Sequence, residues 1–203
     1  MKSHTKVLWE VDAQVDFMIP GGALYVPGAE KILPNLKRLV DAAERTHTPL
    51  ISSADAHPPN DPEFSQFPPH CLKGSRGADL VTEARAAKIL TVPNDKSFTV
   101  PHDLAPYDQI LLEKQTFDVF DNVHTAEVLD QLNPHADYIL FGVVTEFCVR
   151  AAAKGLAARG RKVRIVTDAI ETLNAENANR TMKELQGLGA DTITTAQAIA
   201  LLS

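Results

Sequence analysis

Cysteine is scarce in this chain: two residues among 203, Cys71 and Cys148, with no Cys-x-x-Cys pair and no regular spacing. That excludes a disulfide scaffold and thioredoxin-type exchange, and makes a reducing cytoplasm the expected compartment. Basic blocks are missing too. The net charge is −6, which argues against nucleic acid or an anionic membrane surface as a main partner. No apolar run reaches the length that spans a bilayer. The opening residues 1–6 lead into a short strand-like run rather than a secretory core. Neither internal repeats nor low-complexity tracts occur. What remains is ordinary globular composition, 44% hydrophobic and 23% charged, and a length that fits one domain, residues 1–203, with a real core.

Strand-like and helix-like segments alternate. Short β-rich runs fall at 6–11, 49–54, 110–112, 137–141, 163–166 and 191–193. Helical spacing of apolar residues fits 30–46, 125–132, 147–158, 175–188 and 196–202. Gly160 and Gly189 stand where helix stops belong. Such alternation predicts an α/β fold of three layers (αβα), with a mostly parallel sheet covered on both faces. Residues 55–104 break the rhythm. They are rich in Pro, Asp, Asn and Gly and carry histidines, His57 and His70 among them, which marks a site-forming insertion loop rather than a linker.

Cys148 is placed to do chemistry. It follows the run Tyr138 to Val144 and precedes the alanine-rich stretch Ala151-Ala152-Ala153, so it is expected in the first turn of a helix just past a strand. A helix N-terminus favours thiolate, the nucleophilic form. The run ending at Asp12 supplies an acid and the run ending at Lys114 a cation. In a parallel α/β sheet these strand ends gather at the edge where ligands bind. An acid, a cation and a thiol there suggest a cysteine hydrolase. Lys114 would favour thiolate, Asp12 would move the proton, and backbone N–H groups of Cys148 and the 143–145 turn would hold an oxyanion.

A second constellation lies in the insertion. Asp55 and His57, two apart on an extended segment, face one way, and the loop can return His70 to them. One carboxylate and two imidazoles suit a single divalent transition metal (Zn, Fe or Mn), with Glu63 as a possible added carboxylate. Phe17, Phe67, Phe117, Phe120 and Phe147 are candidates to wall a pocket for a flat ring. Cys71 is expected to be structural.

The motifs together resemble the isochorismatase-like cysteine hydrolases, and among them the nicotinamidase (pyrazinamidase) branch. The resemblance rests on Asp12-Ala13-Gln14-Val15-Asp16-Phe17 with Gly21-Gly22, on Asp55-Ala56-His57, on Phe67-Pro68-Pro69-His70-Cys71, on Lys114 with Phe117 and Phe120, and on Gly142-Val143-Val144-Thr145-Glu146-Phe147-Cys148. It implies a Rossmann-like six-stranded parallel sheet. It implies Cys148 as nucleophile, Asp12 as base then acid, and Lys114 as the cation that orders them. A cis peptide at Val143-Val144 would aim the Val144 N–H, with that of Cys148, at the oxyanion. Asp55, His57 and His70 would hold the metal, Glu63 would be a fourth ligand, and Phe17 would pack beside the substrate ring. The reaction implied is hydrolysis of nicotinamide through a thioester by a homo-oligomer without an organic cofactor. The chain departs from that branch at Ala56, where Trp is usual, at Glu63-Phe64-Ser65-Gln66, at Phe67 and at Phe147. These departures leave room for a sibling hydrolase acting on another amide, carbamoyl or ureido group. A non-catalytic binding module of the same fold is a third reading, which the intact trio of Asp12, Lys114 and Cys148 argues against.

Overall fold

A computed structural model describes residues 1 and 3–202. The expectation of six strands is corrected: the sheet has seven among the described residues, all parallel, in the order β3-β4-β2-β1-β5-β6-β7. The strands are β1 Lys6–Val11, β2 Leu50–Asp55, β3 Ile89–Val92, β4 Gln109–Lys114, β5 Asp137–Gly142, β6 Lys162–Ile170 and β7 Asp191–Ile193. The added strand, β3, falls inside the segment 55–104. It is four residues long, pairs only with β4, and is closed by Pro93. Only Val92 is buried within it, so no alternating pattern announces it.

The helices are α1 Val15–Met18, α2 Leu33–Thr46, α3 Thr125–Asp130, α4 Arg150–Ala158, α5 Ala175–Gly187 and α6 Thr195–Ala200. Two apolar clusters show how they cover the sheet. On one face Val7, Trp9 and Val11 of β1 and Tyr138 and Leu140 of β5 meet α3, α4 and α5. On the other, Leu8 of β1 and Ile139 and Phe141 of β5 meet α1, α2 and α6. Alternate residues of one strand thus feed opposite cores, as the two-residue period of a strand requires. Leu36 and Leu39 of α2 are wholly buried, each contributing roughly 1.5–3 kcal/mol by removal from water. α2 starts at Leu33 rather than residue 30, because Ala29–Lys31 forms a separate tight turn, and it ends at His47 in the left-handed region. Among the described residues no helix is long and apolar enough to cross a membrane.

The four central strands, β4, β2, β1 and β5, are contiguous. Their carboxyl ends carry Lys114, Asp55, the turn beginning at Asp12, and Gly142 leading to Cys148. Gly142 is essential to that edge. Its φ is +116°, and a Cβ there would stand 2.1 Å from the Val11 carbonyl oxygen. Gly142→Ala is therefore expected to lose about 2–4 kcal/mol of stability in urea denaturation, through positive-φ strain and a backbone clash. A loss below about 1 kcal/mol would contradict the close approach of β5 to β1.

Candidate active site

Lys114 is the hub of this edge. The side chain is fully buried at the end of β4. Its Nζ pairs with Asp12 Oδ2 at 2.8 Å, contacts Asp55 Oδ1, and lies 3.6 Å from Cys148 Sγ. The expected acid, cation and thiol are thus together. Burial works against the ammonium, but the charges of Asp12 and Asp55 outweigh it and hold Lys114 well above the usual lysine range.

Asp12 ends β1 with φ +50°, a conformation an aspartate tolerates but rarely adopts. Ser53 on the neighbouring strand grips it twice: the Asp12 N–H donates to Ser53 O at 3.1 Å, and Ser53 Oγ donates to Asp12 Oδ1 at 2.6 Å. Burial raises the Asp12 carboxyl above the usual carboxylate range, with Lys114 opposing and Asp55 adding to the rise. A carboxyl displaced in that direction suits a group that must both take and return a proton.

Cys148 occupies a wide π-helical turn, Thr145–Val149, from which α4 continues; the regular helix begins at Arg150 rather than at residue 147. The helix start and Lys114, expected to favour thiolate, are opposed here by tertiary packing. Burial and then the negative charge of Asp12 push the Cys148 thiol well above the usual range, and the pull of Lys114 does not offset them. The Val143-Val144 peptide is cis, as the resemblance implied. In that turn the N–H of Val143 donates to Val11 O at 2.8 Å and that of Thr145 to Glu171 O at 2.9 Å. Val144 supplies the turn's remaining N–H.

Asp55, His57 and His70 also converge. One ligand atom from each lies within 4.8 Å of the others, and all three residues are buried. Asp55 Oδ2 is 3.7 Å from His57 Nε2 and 3.8 Å from His70 Nε2. Glu63 Oε1 is 3.9 Å from His70 Nε2. The His70 Nδ1–H donates to Pro68 O at 2.8 Å, which leaves its Nε2 lone pair facing Asp55. His57 Nε2 is buried without a hydrogen-bond partner, while its Nδ1 lies 3.0 Å from Asp61 Oδ2, off a hydrogen-bonding line. A buried imidazole nitrogen with no partner, between a carboxylate and a second imidazole, fits a divalent cation. Burial raises Asp55, but Lys114 and the two histidines outweigh that and carry it below the usual carboxylate range.

These groups border one pocket. Asp12, Asp55, Glu63, His70 and Cys148 form its polar floor. Phe17, Phe67, Phe117 and Phe147 wall it, with Leu24, Val26 and Leu173. Phe67, Phe117 and Phe147 make a cluster with ring centroids 5.2–6.5 Å apart, and Phe17 packs against His70 at 5.4 Å. Phe120 does not join them. It packs on Trp9 and under Arg159, beside Gly155 of α4. Cys71 is fully buried and its N–H donates to Asp16 Oδ2, in keeping with a structural role.

Several contributors escaped the sequence reading. Gln14 reads the Asp55 backbone in both directions, donating to its carbonyl at 2.8 Å and accepting from its N–H at 2.7 Å. Ser53 hydrogen-bonds Asp12, Asp61 lies 3.0 Å behind His57 Nδ1, and Phe64 packs at a tilt with its ring centroid 5.4 Å from that of His57. Asp61, four residues after His57, was the one with a readable signal, since metal-binding histidines commonly have a carboxylate behind the ring.

The fold and site define a parallel-sheet hydrolase edge, and the comparisons agree. Residues 7–99 and 92–197 match the isochorismatase domain, and the chain belongs to that family. It is 26% identical over 213 residues to the nicotinamidase of Escherichia coli (strain K12), covering 94% of this chain and 95% of that protein. Its structure superposes with a TM-score of 0.75 on the pyrazinamidase of Pyrococcus horikoshii in complex with zinc, at 25% identity over 94% of this chain and 99% of the other. The N-carbamoylsarcosine amidase of Thermoplasma acidophilum superposes equally, TM-score 0.75, at 21% identity over 95% and 97% of the two chains, a likeness of fold.

A raised thiol has a measurable signature, because thiolate is scarce at neutral pH and grows with pH until the pKa is passed. Alkylation of Cys148 by iodoacetamide, followed by mass spectrometry, is expected to accelerate by about tenfold per pH unit from about pH 6 to about pH 9 without levelling. A plateau at or below neutral pH would contradict the burial argument.

Proposed function

We propose that this protein is a metal-assisted cysteine amidohydrolase whose substrate is a small, flat, uncharged aromatic amide, nicotinamide first among them. The observation that carries the reading is the placement of Lys114 Nζ against Asp12, Asp55 and Cys148 at once, which joins a nucleophile and its proton carrier to a ligand set. Relatives described as nicotinamidases, aligned over nearly the whole chain, support the substrate.

In this reading Cys148 Sγ attacks the carboxamide carbon as its proton passes to Asp12. The oxyanion is held by the N–H groups of Val144 and Cys148. Asp12 returns the proton to the nitrogen, the C–N bond breaks, and ammonia leaves a thioester on Cys148. Water then attacks the thioester carbon, giving its proton to Asp12, which passes it to Sγ as the C–S bond breaks and nicotinate departs. Lys114 holds both partners in position and offsets the negative charge of Asp12 throughout. Asp55, His57 and His70, with Glu63 near, would hold the cation, which as a Lewis acid accepts the ring-nitrogen lone pair and anchors the ring. Phe17 and the Phe67–Phe117–Phe147 cluster would sandwich the ring between apolar walls.

The walls also bear on the alternative of a carbamoyl or ureido substrate. Every wall residue is apolar, and Lys114, behind the floor, is already shared by two carboxylates. An aliphatic substrate would give the aromatic walls no flat ring to pack against. A scaffolding role gains no support from a buried trio whose desolvation serves no binding surface.

Purified protein supplied with Zn, Fe or Mn is expected to release ammonia from nicotinamide, and Cys148→Ala to reduce that by at least about a thousandfold. A folded, metal-loaded protein that turns over other amides but not nicotinamide would overturn the substrate; one that turns over none would overturn the enzyme reading. Asp61→Asn, which leaves the candidate ligands intact, is expected to weaken metal affinity by about 10–100-fold in competition titrations. Unchanged affinity would remove Asp61 from the support of His57.

A further inference from the structure

Glu10 is out of place by composition. Its neighbours on β1, Val7, Leu8, Trp9 and Val11, are buried hydrophobes, yet Glu10 has no exposure at all. A carboxyl inside the sheet is costly unless its surroundings use it. One oxygen is used: Oε1 accepts the Ala13 N–H at 2.5 Å. The other, Oε2, is buried without a hydrogen-bond partner. Ser52 stands directly across the β1–β2 pair, and its hydroxyl accepts from Gln109 Nε2 at 2.6 Å. The Gln109 amide is itself fixed by Ala84 O and the Ala86 N–H, so Glu10 rests on a polar buttress spanning β1, β2 and β4.

What Glu10 grips is the peptide that follows Asp12. The left-handed φ of Asp12 turns its carboxyl toward Lys114, and nothing about an aspartate makes that conformation the default. Three bonds hold it: the Asp12 N–H on Ser53 O, the Gln14 N–H on Asp12 O at 2.7 Å, and the Ala13 N–H on Glu10 Oε1. If the Glu10 bond is lost, the Asp12–Ala13 peptide keeps only the Gln14 bond on its carbonyl and its N–H no longer holds it against relaxation toward extended backbone. Misplacing a reacting group by about 1 Å can cost about a hundredfold in rate.

We propose that Glu10 is a positioning residue: its side chain locks the Asp12–Ala13 peptide and thereby sets the reach of the Asp12 carboxyl to Cys148. The role rests on the reading of Asp12 as the proton carrier. It also accounts for the acid itself. Burial pushes the Glu10 carboxyl up to about 8, against the Ala13 hydrogen bond and the nearby Ser52 hydroxyl, with the Asp12 charge adding to the rise and Lys114 opposing it. At neutral pH it therefore accepts the Ala13 N–H without adding a charge beside Asp12. A hydrophobe of similar size would fill the volume but leave Ala13 N–H without an acceptor.

The test compares Glu10→Gln with Glu10→Leu, by steady-state kinetics on nicotinamide and by crystal structures of both. Gln keeps an acceptor for Ala13; Leu removes it. The expected result is a Glu10→Gln kcat within about threefold of wild type with Asp12 still at positive φ. Glu10→Leu is expected to lose about tenfold or more in kcat, with KM within about threefold and the Asp12 turn relaxed. Wild-type kcat and an unmoved Asp12 in Glu10→Leu would overturn the proposal, as would equal losses in both variants. Should Glu10→Leu fail to fold, Glu10→Gln decides alone: Asp12 in place with kcat retained supports the role, and Asp12 displaced or kcat lost refutes it. If the wild type does not hydrolyse nicotinamide, the substrate reading falls, while the position of Asp12 in the variant structures still settles what Glu10 does.

Discussion

The ammonium of Lys114, shared between two buried carboxylates, is the interaction on which this edge of the sheet depends. Removing Asp12 and Asp55 from water together would be prohibitive without it, because each buried carboxylate carries a desolvation penalty of several kcal/mol and each repels the other. With Lys114 between them the cluster holds. The same arrangement makes the parts interdependent. Loss of the cation leaves two unpaired acids in the core, and loss of either acid shifts the ammonium onto the other. Adjacent strands make the geometry possible. Lys114, Asp55, Asp12 and the turn leading to Cys148 lie on β4, β2, β1 and β5, four neighbours in the sheet. Strand spacing of about 4.8 Å delivers each group to the next with no long reach.

Asp55 is where the two constellations join. One of its oxygens lies on Lys114, and the other faces His57 and His70. On the proposed reading, a cation held by the histidines and the nucleophile beside Lys114 therefore share a single carboxylate. Charge placed on either side changes what Asp55 has left for the other. The backbone of Asp55 is correspondingly rigid, held in both directions by Gln14, whose amide also donates to Ala78 O in the loop. Asp16, two residues on from Gln14, holds that loop a second time through the Cys71 N–H and packs so tightly on Gly77 that no Cβ fits there. The motif that places Asp12 thus also ties down the loop that returns His70.

Legibility in the sequence followed the physics. Asp12, Lys114 and Cys148 were readable because each ends or follows a run of buried β-rich residues, and parallel sheets gather such ends. Asp55 and His57 were readable from the two-residue period of an extended segment. β3 was not, since a short edge strand with one buried residue has no period to read. The placement of Phe120 under α4 rather than in the pocket was equally hidden. It depends on Gly155, 35 positions away along the sequence, leaving room for the ring. What opposes a Cys148 thiolate was hidden for a related reason. A helix N-terminus is a local feature and visible in the sequence, whereas burial and the nearby charge of Asp12 are set by tertiary packing. Local signals located the groups; their electrostatics came from the assembled edge.

That assembled electrostatics also constrains what can enter. Burial holds the Cys148 thiol and the Asp12 carboxyl above their usual ranges and the ammonium is already committed to two acids, so these three side chains have little positive charge of their own to offer a ligand. The walls, four phenylalanines with Leu24, Val26 and Leu173, offer none. On the proposed reading a neutral flat amide suits both, because its ring would fill apolar space and its carbonyl would develop charge only as the thiol attacks, beside the backbone N–H groups assigned to the oxyanion. Keeping Cys148 protonated until then fits such a substrate: a buried thiolate would be one more uncompensated charge between Asp12 and the carbonyl. The sharing of Lys114 that stabilises the edge thus also withholds that ammonium from a ligand, so on the proposed reading any charge a ligand carries has to be met by the cation at Asp55, His57 and His70.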